Sequence, residues 1–420
     1  MRKVPIRLAS AGVALALVGF ACGGDSDSGD SASGQSTPTT APAPSTTTGA
    51  ATLRAGLTGL LTEHVYLAAL ATGAALRGDT KGFEAFAAAL NGPTNSNTAD
   101  LVGAVTSAYG ADVGKAFDGL WRSNGHIPAV VAYTQAVAAN NKADADKAVN
   151  DLLSYAKTFG TTMNSVNSNL PAAAVEDGVK MHITTLKAVI DAQKAGNQPA
   201  VYSSLRTAYG HMADLGATLA GATAAKFPDK FSGAADSKAS ALRAGMTSLL
   251  REHVLLASSA TGAALGGRTA QFEAAAASLN GPSSSNTADI VGAVTSAYGA
   301  DVGKAFDGLW RSNGHIPAVV AYTQAVAANN RANADKAVND LLSYATTFGT
   351  TMNSVNTNFP AADVEGAVKM HITTLKAVID AQKAGDATKA ATTLRAAVAH
   401  MSDTAAFLAE GTVKLFPAKF

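Results

Sequence analysis

Eight histidines stand in this chain of 420 residues, in two sets of four at one constant shift. His64, His126, His182 and His211 recur as His253, His315, His371 and His400. Read at helical spacing, each lies on an apolar stripe. Leu57, Leu60, Leu61, His64, Leu67, Ala68 and Ala71 form one; Val175, Val179, His182, Leu186 and Val189 form another. Ala208, His211, Leu215 and Leu219 form a third, and His126, Val130, Tyr133 and Val137 a looser fourth. Histidine is only intermediate in its tendency to be buried, so a set in which every member faces the core needs an account. In one account each ring is a structural residue bonded to its own nearby carbonyl or hydroxyl. In the other the rings converge, and neutral imidazoles in a helical core suit Cu, Zn, Fe or haem iron.

Asp214 follows His211 by one helical turn and Asp403 follows His400 in the same way, each placed to ligate or to orient the ring from behind. Counting along the helices puts His64, His182 and His211 in one layer. Their ring nitrogens should then lie within roughly 3–4 Å of one another, as ligands about 2.0–2.1 Å from a common ion must. Affinity for the ion should fall as the pH drops through the ordinary histidine range near ~6. His126 sits in Asn124-Gly125-His126-Ile127-Pro128, where Pro128 marks a helix break or start. Glu63 and Glu252 adjoin a histidine but point about 100° away around the helix. Met181 and Met212 adjoin His182 and His211 without sharing their face, which argues against a copper–thioether set. The Glu-x-x-His pattern of di-iron carboxylate bundles is absent.

The elements that carry these residues are written twice. Val102–Asn141 recurs unchanged as Val291–Asn330. The repeat extends to two tandem copies, 52–231 and 241–420, joined by a linker at 232–240. With 47% hydrophobic but only 6% aromatic residues, the copies are rich in alanine and 3.6-residue periodicity. The fold class is therefore all-α: two helical-bundle domains, each able to fold alone. A fainter internal repeat (LLTEHV, LWRSNGHI, VKMHI) with polar breaks at Gly78-Asp79, Asn140-Asn141 and Gly196-Asn197 predicts three α-hairpins, six helices, per copy. The odd-numbered helices should run parallel. The copies have drifted at their ends: VYLAALATGAALRGDTKGFEAF has become VLLASSATGAALGGRTAQFEAA.

Ahead of the copies, residues 1–21 read as a signal peptide, with Arg2, Lys3 and Arg7 before an apolar run from Leu8 to Phe20. Residues 22–51 read as a disordered Ser/Thr/Gly/Pro tether. Ala21-Cys22-Gly23-Gly24 resembles the lipobox of bacterial lipoproteins, although Gly19 stands where that family usually has Leu or Val. The resemblance implies lipidation of Cys22, the only cysteine, and anchoring at the extracytoplasmic face of the cell membrane. EHV-x-LA, ATGAAL, YG, LW followed by HI, then LR-x-A, HM and FP-x-KF resemble an uncharacterised family of secreted bacterial helical domains, over nearly all of both copies. Some of its relatives carry the label copper amine oxidase. The Asn-Tyr-Asp/Glu-Tyr segment that supplies the quinone of true amine oxidases is missing here, and Asn124-Gly125 and Pro128 depart from the helical form of the family's motif.

A net charge of +1 without a basic stripe argues against nucleic acid, and no GxGxxG, P-loop or GxSxG signature occurs. The sequence thus reads as a membrane-anchored binding lipoprotein with a His-lined transition-metal or haem site in each copy. The alternatives are an envelope scaffold that docks a protein partner, with structural histidines, and a metal-dependent oxidase with an open coordination position.

Overall fold

A computed structural model describes residues 43–122, 125–312 and 314–420. Cys22 and the rest of the leader, with Asn124 of the break before His126, lie outside the described residues. The described chain holds sixteen α-helices, a closing 3-10 turn at Pro417–Lys419 and no strand. The first copy contains α1 (Gly49–Leu76), α2 (Thr80–Asn91), α3 (Asn97–Tyr109), α4 (Ala111–Arg122), α5 (His126–Ala138), α6 (Lys142–Val166), α7 (Ala172–Lys194) and α8 (Gln198–Lys226). The second repeats them as α9 (Lys238–Leu265), α10 (Thr269–Asn280), α11 (Asn286–Tyr298), α12 (Ala300–Arg311), α13 (His315–Ala327), α14 (Arg331–Val355), α15 (Ala361–Lys383) and α16 (Ala387–Leu415).

Each copy therefore has eight helices rather than the six expected. The three polar breaks form one kind of turn. Gly78, Asn140 and Gly196 take positive φ, and the next residue, Asp79, Asn141 or Asn197, caps the following helix with its side chain. The two additional helices, α3 and α4, come from the segment after Gly92-Pro93. Ser96 caps α3, and Gly110 at φ +98° turns the chain into α4, a conformation that favours glycine. The folded part also starts earlier than expected. Thr48 caps α1 and Ser237 caps α9, while the Thr46 amide donates to Glu410 Oε2 at 3.1 Å, so residues 46–51 belong to the bundle and not to a tether.

Within a copy, α1 lies against α8, α7, α5 and α3, and α6 joins α5 to α7. Although α1 is long and apolar enough to cross a membrane, 78% of its most apolar window is buried inside the protein. It is a core helix, and its partner across the copies is α9. Pro44–Phe420 forms one compact unit, and its main core is continuous from Leu61 and Tyr66 through Leu255 and Leu394. Tyr66 Oη meets Ser259 Oγ at 3.0 Å, and the Tyr209 hydroxyl donates to the Ser248 carbonyl at 2.9 Å.

Ion pairs across this junction are reciprocal. Arg206 of α8 donates to Glu252 at 3.0 Å and pairs with Asp289, and Arg395 of α16 does the same to Glu63 and Asp100. A self-complementary surface of this kind is the isologous pattern of twofold dimers. Every group it needs is present in the first copy alone: Glu63, Asp100 and Arg206. Residues 44–231 expressed separately should therefore self-associate, with Arg206 of one chain on Glu63 of the other. Sedimentation or light scattering should give twice the chain mass, and Arg206→Glu should shift it to monomer. A cooperative monomer of the wild-type fragment would show that the shared core is dispensable.

Candidate metal centre

The odd members of the predicted hairpins carry the site. His64 sits mid-way along α1, His182 mid-way along α7, and His126 is the first residue of α5. Gly125 precedes it at φ +116°, again a glycine-favouring conformation, and this turn aims the first residue of α5 inward. Pro128 lies in the first turn of α5, where a helix has no hydrogen bond to lose. Helices α1, α5 and α7 are in mutual contact, and the three imidazoles meet at their junction.

His64, His126 and His182 each offer a ring nitrogen, all within 4.8 Å of one another; His253, His315 and His371 repeat the group. Ring centroids stand 5.4, 5.7 and 5.9 Å apart in the first copy and 5.5, 5.7 and 5.9 Å in the second. Three imidazoles bound to one ion at about 2.0–2.1 Å would have centroids roughly 5.2–5.5 Å apart. The facing Nε2 atoms of His253 and His315 are 3.5 Å apart, against about 3.4 Å for two ligands of a tetrahedral ion. The donor set could hold one ion in each copy once the rings close to ligand distance.

The surroundings are dry and aromatic. Trp121 lies edge-on to His64 at 5.0 Å and to His126 at 4.7 Å, and Tyr155 stacks on His126 at 5.0 Å. No carboxylate belongs to either group. All six rings are at most 6% exposed. Their Nδ1 atoms are buried without a hydrogen-bond partner, as are both nitrogens of His182, Trp121 Nε1 and Tyr155 Oη. Beside His126 and His182, and again beside His315 and His371, is a void of about 10 Å³ walled by residues such as Leu152, Ile183 and Leu186. That is room for an ion or a water, not for a porphyrin, so the haem expectation is set aside.

Burial, and after it the charge a neighbouring imidazole would carry, hold all six rings well below the usual histidine range, at about 3. Their lone pairs are therefore available across the physiological range, and the fall in affinity expected near ~6 moves far lower. The Asn97 side chain weakly opposes the shift at His64, and Asn286 does so at His253. Asn97 in turn donates to the Leu60 carbonyl at 2.8 Å and to Glu63 Oε2 at 3.3 Å. Glu63 is held by Arg395 and Arg251 of the other copy. A polar line thus runs from the first triad to the second copy, and Asn286, Glu252 and Arg206 make the return line.

His211 and His400 stay out of the triads, contrary to the expected layer of His64, His182 and His211. His126 takes the third place instead. Because α8 lies along α7, the His211 Nε2 faces the Gly178 carbonyl at 2.8 Å, one turn before His182. His400 meets the Ala367 carbonyl at 3.0 Å. Asp214 and Asp403 are exposed and belong to neither group. Asn97 and Tyr155 were not marked by any sequence motif, and Arg206 and Arg395 stood in LR-x-A with no role attached. For Asn97 and Tyr155 the only signal was survival in both copies, which much of the chain shares. Comparison with family models, with curated proteins and with solved structures finds no match to this chain.

The buried rings fix the sign of an acid effect. An unfolded histidine titrates near ~6.5, so between that pH and about 3 the unfolded chain binds protons that the folded chain refuses. Stability should be full above ~6.5 and lost progressively as pH falls through this window. Melting temperature measured from pH 7.5 to 4.5 should drop steadily, and His182→Phe should flatten the slope. A flat profile in the wild-type protein would contradict neutral buried triads.

Proposed function

We propose that this protein is an extracytoplasmic metal-binding protein that holds one transition-metal ion in the His64–His126–His182 triad and a second in His253–His315–His371. The observation that carries the reading is the convergence of three buried imidazoles per copy, each offering one ring nitrogen within 4.8 Å of the other two. A purely structural role accounts for His211 and His400, which have such carbonyls. It gives no reason for three rings to converge on one point in each copy.

The donor set narrows the ion. Imidazole suits copper and zinc. A dry pocket without a carboxylate penalises charge, so a monovalent ion is favoured over a divalent one. Copper(I) is our first assignment and zinc the second. The void beside each triad is too small for a substrate next to the ion, so the role is binding and retention rather than turnover. The leader supports export and lipid anchoring through Cys22. Cys22→Ser should release into the medium a protein that otherwise fractionates with membranes, and equal release of both forms would remove the anchor.

Untagged protein loaded with copper(I) and dialysed should retain two ions per chain by elemental analysis. His64→Ala with His182→Ala should reduce this to one. At free metal a hundredfold above Kd the native state gains about 2.7 kcal/mol, visible as a rise in melting temperature. The only tryptophans, Trp121 and Trp310, each adjoin a triad, so their fluorescence should change in two equal steps. Failure of copper and zinc alike to bind or to stabilise would leave an envelope scaffold with structural histidines as the account.

A further inference from the structure

A cavity lies between the copies, away from both triads. It has a volume of about 340 Å³ and is bounded by the C-terminal halves of α1 and α9, the starts of α2, α8 and α16, and the end of α7. That size is within the range of small-molecule sites. Gly73 and Gly262 leave room for the side chains of Gln193 and Gln382, which a Cβ there would crowd.

Its walls differ strongly between the copies. Arg77 corresponds to Gly266, Asp79 to Arg268, Leu70 to Ser259, Phe86 to Ala275 and Tyr202 to Ala391. The exchange of charge is linked. A Cβ at position 266 would fall 2.0 Å from Arg268 Nη1, so the glycine there makes room for the second arginine. As a result each copy sends one arginine, from non-equivalent positions, into a single cleft.

Neither guanidinium has a carboxylate within ion-pair distance among the described residues. Arg268 donates to the Gly262 carbonyl and to Gln271, both at 2.8 Å. The Arg77 side chain donates to none of the described residues. Asp79 and Asp386, the cleft's carboxylates, each accept a backbone N–H as helix caps. Burial lowers the pKa of Arg77 and the charge of Arg268 lowers it further, with Asp79 opposing both, so the two cations act on each other across the space. Leu70, Leu76, Phe86 and Leu265 supply an apolar wall beside them.

We propose that this cleft binds a small amphipathic organic anion, with its carboxylate between Arg77 and Arg268 and its hydrocarbon body along Leu70, Leu76, Phe86 and Leu265. Two guanidiniums that face one space, neither of them in an ion pair, complement one anionic head, and a planar carboxylate matches the guanidinium fork. The site is independent of metal and uses a different surface from the triads.

Octanoate serves as the probe, titrated calorimetrically into the full chain with and without copper(I). One octanoate per chain should bind in both states. Octanol, with the same chain and no charge, and inorganic phosphate, with charge and no chain, should each bind at least about tenfold more weakly. Loss of one charge-assisted contact, in Arg77→Gln or Arg268→Gln, should weaken octanoate about tenfold. Phe86→Ala should weaken octanoate and leave phosphate unchanged. Arg77→Gln should keep the melting profile of the wild type without ligand, which separates loss of the site from loss of the fold. Absence of octanoate binding, equal binding of octanol, or octanoate affinity unaffected by both arginine substitutions would overturn the proposal.

Discussion

An imidazole removed from water resists protonation, and each copy of this chain removes three of them at one point. No acid compensates them and most of their nitrogens have no partner. The whole helical arrangement around that point follows from the need to exclude water there. α1 is buried on almost all sides, α5 begins at the site, and α7 closes it. Trp121, Tyr155 and Phe159 then form an aromatic wall that cannot donate charge to the rings. Such a pocket is costly for a protein with nothing to place in it, and coherent for one that holds an ion with a preference for neutral nitrogen donors.

The same arrangement ties the two sites together. Glu63 and Glu252 were set aside in the sequence because they point away from their neighbouring histidines. Pointing away, they meet arginines of the other copy. Asn97 and Asn286 bridge back from these carboxylates toward His64 and His253. The first ring of each triad is thus braced by a polar line that ends in the opposite copy. Arg251 adds a second cation on Glu63 that Glu252 lacks, since Thr62 stands at the corresponding position. The rings not so braced differ in orientation: His126 stacks on Tyr155 at 21°, whereas His315 meets Tyr344 at 61°, in two segments of identical sequence.

Periodicity was enough to read the all-α class, the duplication and the inward face of every histidine. It also marked the hairpin turns, because Gly-Asp, Asn-Asn and Gly-Asn combine a residue suited to positive φ with a capping side chain. It did not resolve α3 and α4, whose existence rests on one glycine turn. Nor did it single out His126 over His211 as the third member of the group. Helical spacing says which face a side chain occupies but not what the neighbouring helix presents there. His211 faces inward and meets the Gly178 carbonyl, while His126, on the loosest stripe, is swung into the centre by Gly125. The fusion of two copies into one core was hidden for the same reason, since a stripe that packs on a sister copy looks like one that packs within its own.

X-ray absorption at the metal edge of the loaded protein tests the central claim most directly. The account predicts a first shell of three nitrogens at about 2.0–2.1 Å with the outer-shell scattering of imidazole, and the same spectrum from each site when the other triad is disabled. A shell dominated by oxygen, or one unchanged by His126→Ala in a protein whose second triad has been removed, would contradict it.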